Sequence, residues 1–183
     1  MPHQDCYDGF LWAVGNASKL SADSTNVTVM GDSAGGNLAA VVSILARDNN
    51  GPSIANQVLI YPCTDASKTY DSEIKYKKGY LLSKERMDWF IDHYKAKAED
   101  VNNPLFSPLL TSDLSGLPRA FVFTAEYDPL KDEGKAYAEK LQSAGNEVIY
   151  KDYKKVIHGF FNMPKICKQT TMACQDISDF LES

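Results

Sequence analysis

The chain is poor in clustered basic charge, in long apolar runs, in paired cysteine and in histidine, and each shortage narrows the function. Acidic side chains outnumber basic ones, 24 to 19, for a formal charge of -5. The densest basic stretches, residues 75–78 and 151–155, are interrupted by tyrosine and aspartate. That argues against a nucleic-acid partner, which needs a basic patch or stripe. The longest largely apolar stretch, Leu38 to Ala46, is far short of the roughly 20 residues that span a bilayer, so no membrane segment is expected in this chain. The first ten residues, MPHQDCYDGF, have neither the basic nor the apolar region of a signal peptide, and a cytoplasmic location is expected. Cysteines stand at positions 6, 63, 167 and 174, with no CxxC and no Cys/His cluster. Neither zinc nor a disulfide framework is implied, and buried, reduced thiols are the expected state. No metal or cofactor is expected.

What remains is ordinary globular material. At 183 residues, 44% hydrophobic and 23% charged, the chain can bury one substantial core. Apolar residues at helical spacing predict a helix over residues 4–19, with Cys6, Phe10, Ala13, Val14 and Ala17 inward and Tyr7 and Leu11 widening the stripe. Val27–Met30 reads as a strand, followed by a helix to about Arg47 that Asn49-Asn50-Gly51-Pro52 stops. Gln57–Tyr61 and Ala120–Ala125 are apolar on both faces, as in a parallel sheet covered on both sides. Glu147–Tyr150 alternates and suits a sheet edge. Helices are predicted over Leu130–Ala144 and Thr170–Leu181. Strands alternating with helices imply an α/β fold with a mostly parallel sheet of about four strands. Residues 63–119 are far more than a strand-to-strand connection needs. They hold an aromatic, lysine-rich stretch, a helix capped at Ser83 that runs through Met87, Phe90, Ile91 and Tyr94, and a proline-rich return. A helical lid over residues 66–103 is expected there.

The chain is organised around Val27 to Leu38, VTVMGDSAGGNL. Gly31-Asp32-Ser33-Ala34-Gly35 fits G-x-S-x-G, with an apolar strand before it and an apolar helical run after it. A serine at the tip of a sharp strand-to-helix turn needs strained backbone angles and nearly side-chain-free neighbours two residues away on each side. It also sits at a helix N-terminus, where free N–H groups favour developing negative charge.

A serine nucleophile needs a base, and the base an orienting acid. Three histidines are available. His3 precedes the first helix and is expected to be solvent-exposed. His93 lies on the lid helix off its apolar stripe. His158 falls in the loop after the last strand, at the carboxyl edge of the sheet, and is the choice for the base. For the acid, Glu126, Asp128, Asp132 and Glu133 follow the third strand. Asp132 and Glu133 fall in a first helical turn, where carboxylates have a structural reason to be, so Asp128 is preferred. The order Ser33, Asp128, His158 is that of the α/β-hydrolases.

The sequence resembles the hormone-sensitive-lipase-like branch of that fold, which includes carboxylesterases and arylacetamide deacetylases. The resemblance rests on Gly31 to Asn37, on Tyr61-Pro62 with Asp65, on Asp128-Pro129-Leu130 with Asp132-Glu133-Gly134, and on His158-Gly159-Phe160. It implies a partial α/β-hydrolase fold and a Ser33–His158–Asp128 triad, with the Ala34 N–H as an oxyanion donor. It implies a small-molecule ester substrate, a short-to-medium acyl ester or an arylacetamide-type amide. Asp32, Tyr80 and Phe160 are expected to face that substrate, with Tyr76, Trp89 and Phe90 adding an apolar wall. Members of the family carry a His-Gly-Gly-Gly motif upstream that completes the oxyanion hole, and no HGG occurs here. Four strands stand where the fold has eight. The expectation is a single domain over 1–183, truncated on its N-terminal side, whose nucleophile strand has an unpaired apolar edge. An inactive fragment or small-molecule-binding relic is the alternative.

Overall fold

The computed structural model describes residues 2–183. Four strands form one sheet, in the order β1 (Thr28–Asp32), β2 (Asn56–Ile60), β3 (Arg119–Tyr127) and β4 (Val148–Ile157). Every neighbouring pair is parallel. The sheet is flanked by α1 (Pro2–Gly15), α2 (Ala34–Asp48), α5 (Lys131–Ser143) and α6 (Lys168–Glu182). A short α3 (Asp71–Lys75) and α4 (Lys84–Tyr94) fall in the excursion between β2 and β3.

The alternation of strand side chains assigns the two faces. Val58 and Ile60 of β2 and Phe121, Phe123 and Ala125 of β3 pack under α6 through Ala173, Ile177 and Phe180. Leu59, Ala120 and Val122 point the other way, onto Ala39, Ala40 and Ile44 of α2 and Tyr137, Ala138 and Leu141 of α5. β2 is buried along its whole length, as its unbroken apolar run requires. α1 packs on α2 in a smaller cluster of Tyr7, Phe10, Val42, Ala46 and Ile54.

β1 lies at one edge. Met30 is in register with Val58 and so shares the α6 face, but α6 does not reach that far. Met30 is 56% exposed. The unpaired, partly apolar outer edge expected of the nucleophile strand is present. At the opposite edge β4 is longer than its sequence predicts. Lys151, Asp152, Lys154 and Lys155 lie beyond the predicted end of the strand at Tyr150, and a charged strand is what an outer edge tolerates. A register shift between Ala125 and Tyr127 lets β3 and β4 run on together toward their carboxyl ends.

Three local expectations are corrected. His3 is only 8% exposed: it shares the inward face of α1 with Tyr7 and Phe10, and burial lowers its pKa. Cys6 points outward from the same helix and Cys174 is exposed as well, while Cys63 and Cys167 are only partly buried. The rest of the predicted stripe holds at Tyr7, Phe10 and Ala17, which are buried, and at Val14, which packs on the α1–α2 cluster.

Candidate active site

The turn between β1 and α2 is built by close backbone approach. Ser33 holds φ 56° and ψ −117°, a conformation that a non-glycine residue keeps only when its surroundings over-determine it. The surroundings are specific. A Cβ on Gly31 would lie 2.2 Å from the Gly35 carbonyl oxygen, and one on Gly36 would lie 2.9 Å from the Pro62 side chain. A Cβ on Gly35 would meet nothing nearer than Asp32 Oδ1 at 4.0 Å. The side-chain-free neighbours are thus Gly31 and Gly36, rather than Gly31 and Gly35. The Ser33 N–H donates to the Ile60 carbonyl at 2.9 Å, and the Ser33 carbonyl accepts from the N–H groups of Asn37 and Cys63. Strand, helix and the loop after β2 all grip the one residue.

The carboxyl ends of β3 and β4 bring two further side chains to Ser33. His158 Nε2 lies 3.0 Å from Ser33 Oγ, and His158 Nδ1 lies 2.7 Å from Asp128 Oδ2. An ionised carboxylate only accepts, so Nδ1 carries the proton and Nε2 of the neutral ring is left to accept from the serine. Asp128 is fully buried, and its other oxygen accepts the Leu130 N–H at 2.8 Å. The Tyr61 ring stands 4.6 Å from the imidazole, centroid to centroid, and fixes its plane from the side. Burial and the nearby Asp32 carboxylate raise the Tyr61 pKa, keeping the phenol neutral.

Behind the turn lies a buried carboxyl that sequence reasoning assigned to the helix dipole alone. Glu133 Oε1 accepts the N–H of Thr64 at 2.6 Å and that of Asp65 at 3.2 Å. Burial outweighs these bonds and raises its pKa to about 8. Asp132 accepts the Ser72 N–H at 2.8 Å. Both acids staple the excursion to α5. Asn37 does the same from α2, donating to the carbonyls of Cys63 and Phe106.

Ser33 and His158 open into a cavity of about 650 Å³. Met87, Phe90, Ile91 and Tyr94 of α4 form one wall, so the apolar stripe read on that helix faces the cavity. Asp32 and Ala34 also line it. Asp32 accepts from Asn162 Nδ2 at 3.0 Å and from the Tyr61 hydroxyl at 3.4 Å. The Ala34 N–H is among the first of α2, which intrahelical bonding leaves without partners. Two residues expected to face substrate are elsewhere. Phe160 is 1% exposed and sits in the core under α6, where the turn after Gly159 points it away from the cavity. Tyr80 stacks on Tyr127 and packs against Tyr76. Trp89 stacks on His93 at the surface, while the ring of exposed His93 itself borders the cavity. Leu130 of the Asp128-Pro129-Leu130 motif lines it too, as do Leu81, Leu82 and Arg86, which carried no motif that would have marked them.

A parallel sheet that presents a strained serine after one strand, and an aspartate and a histidine after two later ones, defines an α/β-hydrolase. The comparisons with known proteins agree. A family model for the alpha/beta hydrolase fold matches residues 1–162, and the chain belongs to that family, the hormone-sensitive-lipase-like hydrolases. It is 40% identical over 169 residues to an arylesterase of Saccharolobus solfataricus, covering 92% of this chain and 55% of the relative. It is 42% identical over 166 residues to the carboxylic ester hydrolase LipN of Mycobacterium tuberculosis, covering 87% of this chain and 44% of the relative. Among solved structures, an ester hydrolase from the metagenome of Lake Arreo superposes with a TM-score of 0.95 at 42% identity, over 99% of this chain and 57% of that one. The chain therefore spans about half the length of the curated relatives it matches. No helix among the described residues is long and apolar enough to cross a membrane.

Proposed function

We propose that the protein is a serine carboxylic-ester hydrolase acting on short-to-medium acyl esters or arylacetamide-type amides. The observation that carries this reading is the pair of contacts at His158, 3.0 Å to Ser33 Oγ and 2.7 Å to Asp128 Oδ2. In the reaction His158 Nε2 takes the Ser33 proton as Oγ attacks the ester carbonyl. Asp128 holds the ring in the tautomer that can accept, and stabilises the imidazolium. The Ala34 N–H binds the developing oxyanion at the N-terminus of α2. His158 then protonates the leaving alcohol, and water attacks the acyl-serine by the same route in reverse. The apolar wall from α4 supports an apolar acyl or aryl group, and we assign residues 66–103 the role of lid on that basis.

The missing His-Gly-Gly-Gly motif favours a second reading for the 183-residue chain by itself. Removing one oxyanion donor typically costs about 10²–10³ in turnover. The chain alone is accordingly expected to hydrolyse weakly, at the extreme acting as a binder of small apolar molecules. Hydrolysis of p-nitrophenyl butyrate by the purified chain and by Ser33→Ala tests both. Slow, Ser33-dependent release of p-nitrophenol supports the esterase. Equal rates in the two proteins would remove it and leave the binder.

A further inference from the structure

The geometry points to Leu81 as a specificity-determining residue, which a strained turn holds against the wall of the cavity beside His158, where it limits the apolar group that can lie there. The substrate this implies rests on the esterase reading; the shape of the cavity does not.

Leu81 has φ 64°, and the Leu82 N–H donates across it to the Tyr80 carbonyl at 2.7 Å. That is a three-residue turn of the positive-φ hand, which is rare and strained. Glycine would relieve it, and Gly79 two positions earlier already has φ 93°. Folding gives no reason for a leucine here. Its side chain is 52% exposed, and the neighbouring cluster is filled by Leu82, Met87 and Leu130 without it. What Leu81 touches is the site. It lines the cavity that holds Ser33 and His158, and a Cβ built on Gly159 would lie 3.3 Å from Leu81 Cδ2. The isobutyl group thus reaches from the lid segment to the residue that follows His158. Arg86 Nη1 donates to the Leu81 carbonyl at 3.1 Å and holds the turn in place. Strain kept by an exposed apolar side chain at a reactive site is the pattern of a residue retained for function.

The test compares Leu81→Gly, Leu81→Ala and Leu81→Asn with the parent chain. Ser33 is modified with butyl and octyl p-nitrophenyl phosphonates, and the adduct is followed by intact mass. One methylene in an apolar pocket changes discrimination by about 10–200-fold, so trimming the isobutyl group should raise the octyl-to-butyl rate ratio by roughly ten-fold or more in Leu81→Gly and Leu81→Ala, while Leu81→Asn, which keeps the shape of leucine, should leave the space unchanged and serves as the control for backbone strain. An unchanged ratio in Leu81→Gly and Leu81→Ala overturns the proposal. If no phosphonate reacts with any of the proteins, the esterase reading fails. The ratio of affinities for N-butyl- and N-octylacetamide, read by chemical shifts, then decides the cavity claim by the same criterion. Stability separates function from folding. Glycine and asparagine are at ease at positive φ and should unfold at higher denaturant concentration than alanine. Were all three variants less stable than the parent, leucine would be there for the fold, and the proposal would fall.

Discussion

Ser33 and Leu81 are both non-glycine residues at positive φ, 56° and 64°, and both border one cavity, yet the chain holds them by different means. Ser33 is clamped by backbone: the strand at Gly31 presses on the helix at Gly35, and three main-chain hydrogen bonds fix the serine from β2, α2 and the following loop. Leu81 is held by its own short turn and by one exposed arginine. The first arrangement suits a group whose position must not vary by fractions of an ångström. The second suits a wall that can yield to what binds. Strain of similar sign is thus carried by a rigid scaffold in one case and by a single side chain in the other.

The largest effect should come from breaking the clamp. Gly31→Ala places a methyl where a backbone oxygen already lies, and a loss of more than about 4 kcal/mol in chemical denaturation is expected. A variant that folds normally would show that the turn opens easily, and would erase the contrast. Next comes the chemistry that the clamp serves. Asp128→Asn keeps the shape but favours the wrong imidazole tautomer, so phosphonylation of Ser33 should slow by about 10⁴-fold, with the denaturation midpoint much less affected.

A smaller effect probes the support behind Ser33. Glu133 holds the loop whose Cys63 N–H binds the Ser33 carbonyl, and its folded pKa is raised from 4.5 to about 8. Between those values the folded state keeps a proton that the unfolded state has lost. Stability from this group is therefore fully present below about pH 4.5 and is lost as pH rises through about 8. Urea midpoints should fall over that range in the parent chain and fall less in Glu133→Gln, whose amide oxygen still accepts both N–H groups. The smallest effect belongs to the other turn. Arg86→Met removes one exposed hydrogen bond and should cost at most about 1 kcal/mol. A loss as large as that of Gly31→Ala would mean that the two turns are held alike.

The sequence makes the clamped region legible and leaves the other unmarked. Gly31 and Ser33 are fixed by steric demands that few residue types meet, and with three histidines the one that stands beside Ser33 could be found by elimination. The both-face-apolar strands β2 and β3 revealed a parallel sheet because burial on two sides leaves no polar alternation. Sequence reasoning failed where one residue type serves two environments. Phe160 next to Gly159 is equally apolar in a core or in a pocket, and the core claims it. Lys151, Asp152, Lys154 and Lys155 carry no apolar signal that would extend the predicted strand past Tyr150, yet they lie in an edge strand. His3 and Cys6 both lie in the first turns of α1, and there the stripe through Tyr7 and Phe10 continues to His3 rather than to Cys6. Leu81 gave no signal, since nothing in a leucine announces a positive φ.

Activation of Ser33 Oγ by His158 and Asp128, as proposed, is open to direct test by covalent capture. The chain and its His158→Ala variant are treated with a fluorophosphonate, and the adduct is mapped by peptide mass. One adduct, on Ser33, is expected in the parent chain and none in the variant over the same time. Equal modification of the two proteins, or a parent chain whose Ser33 stays unmodified, would contradict it.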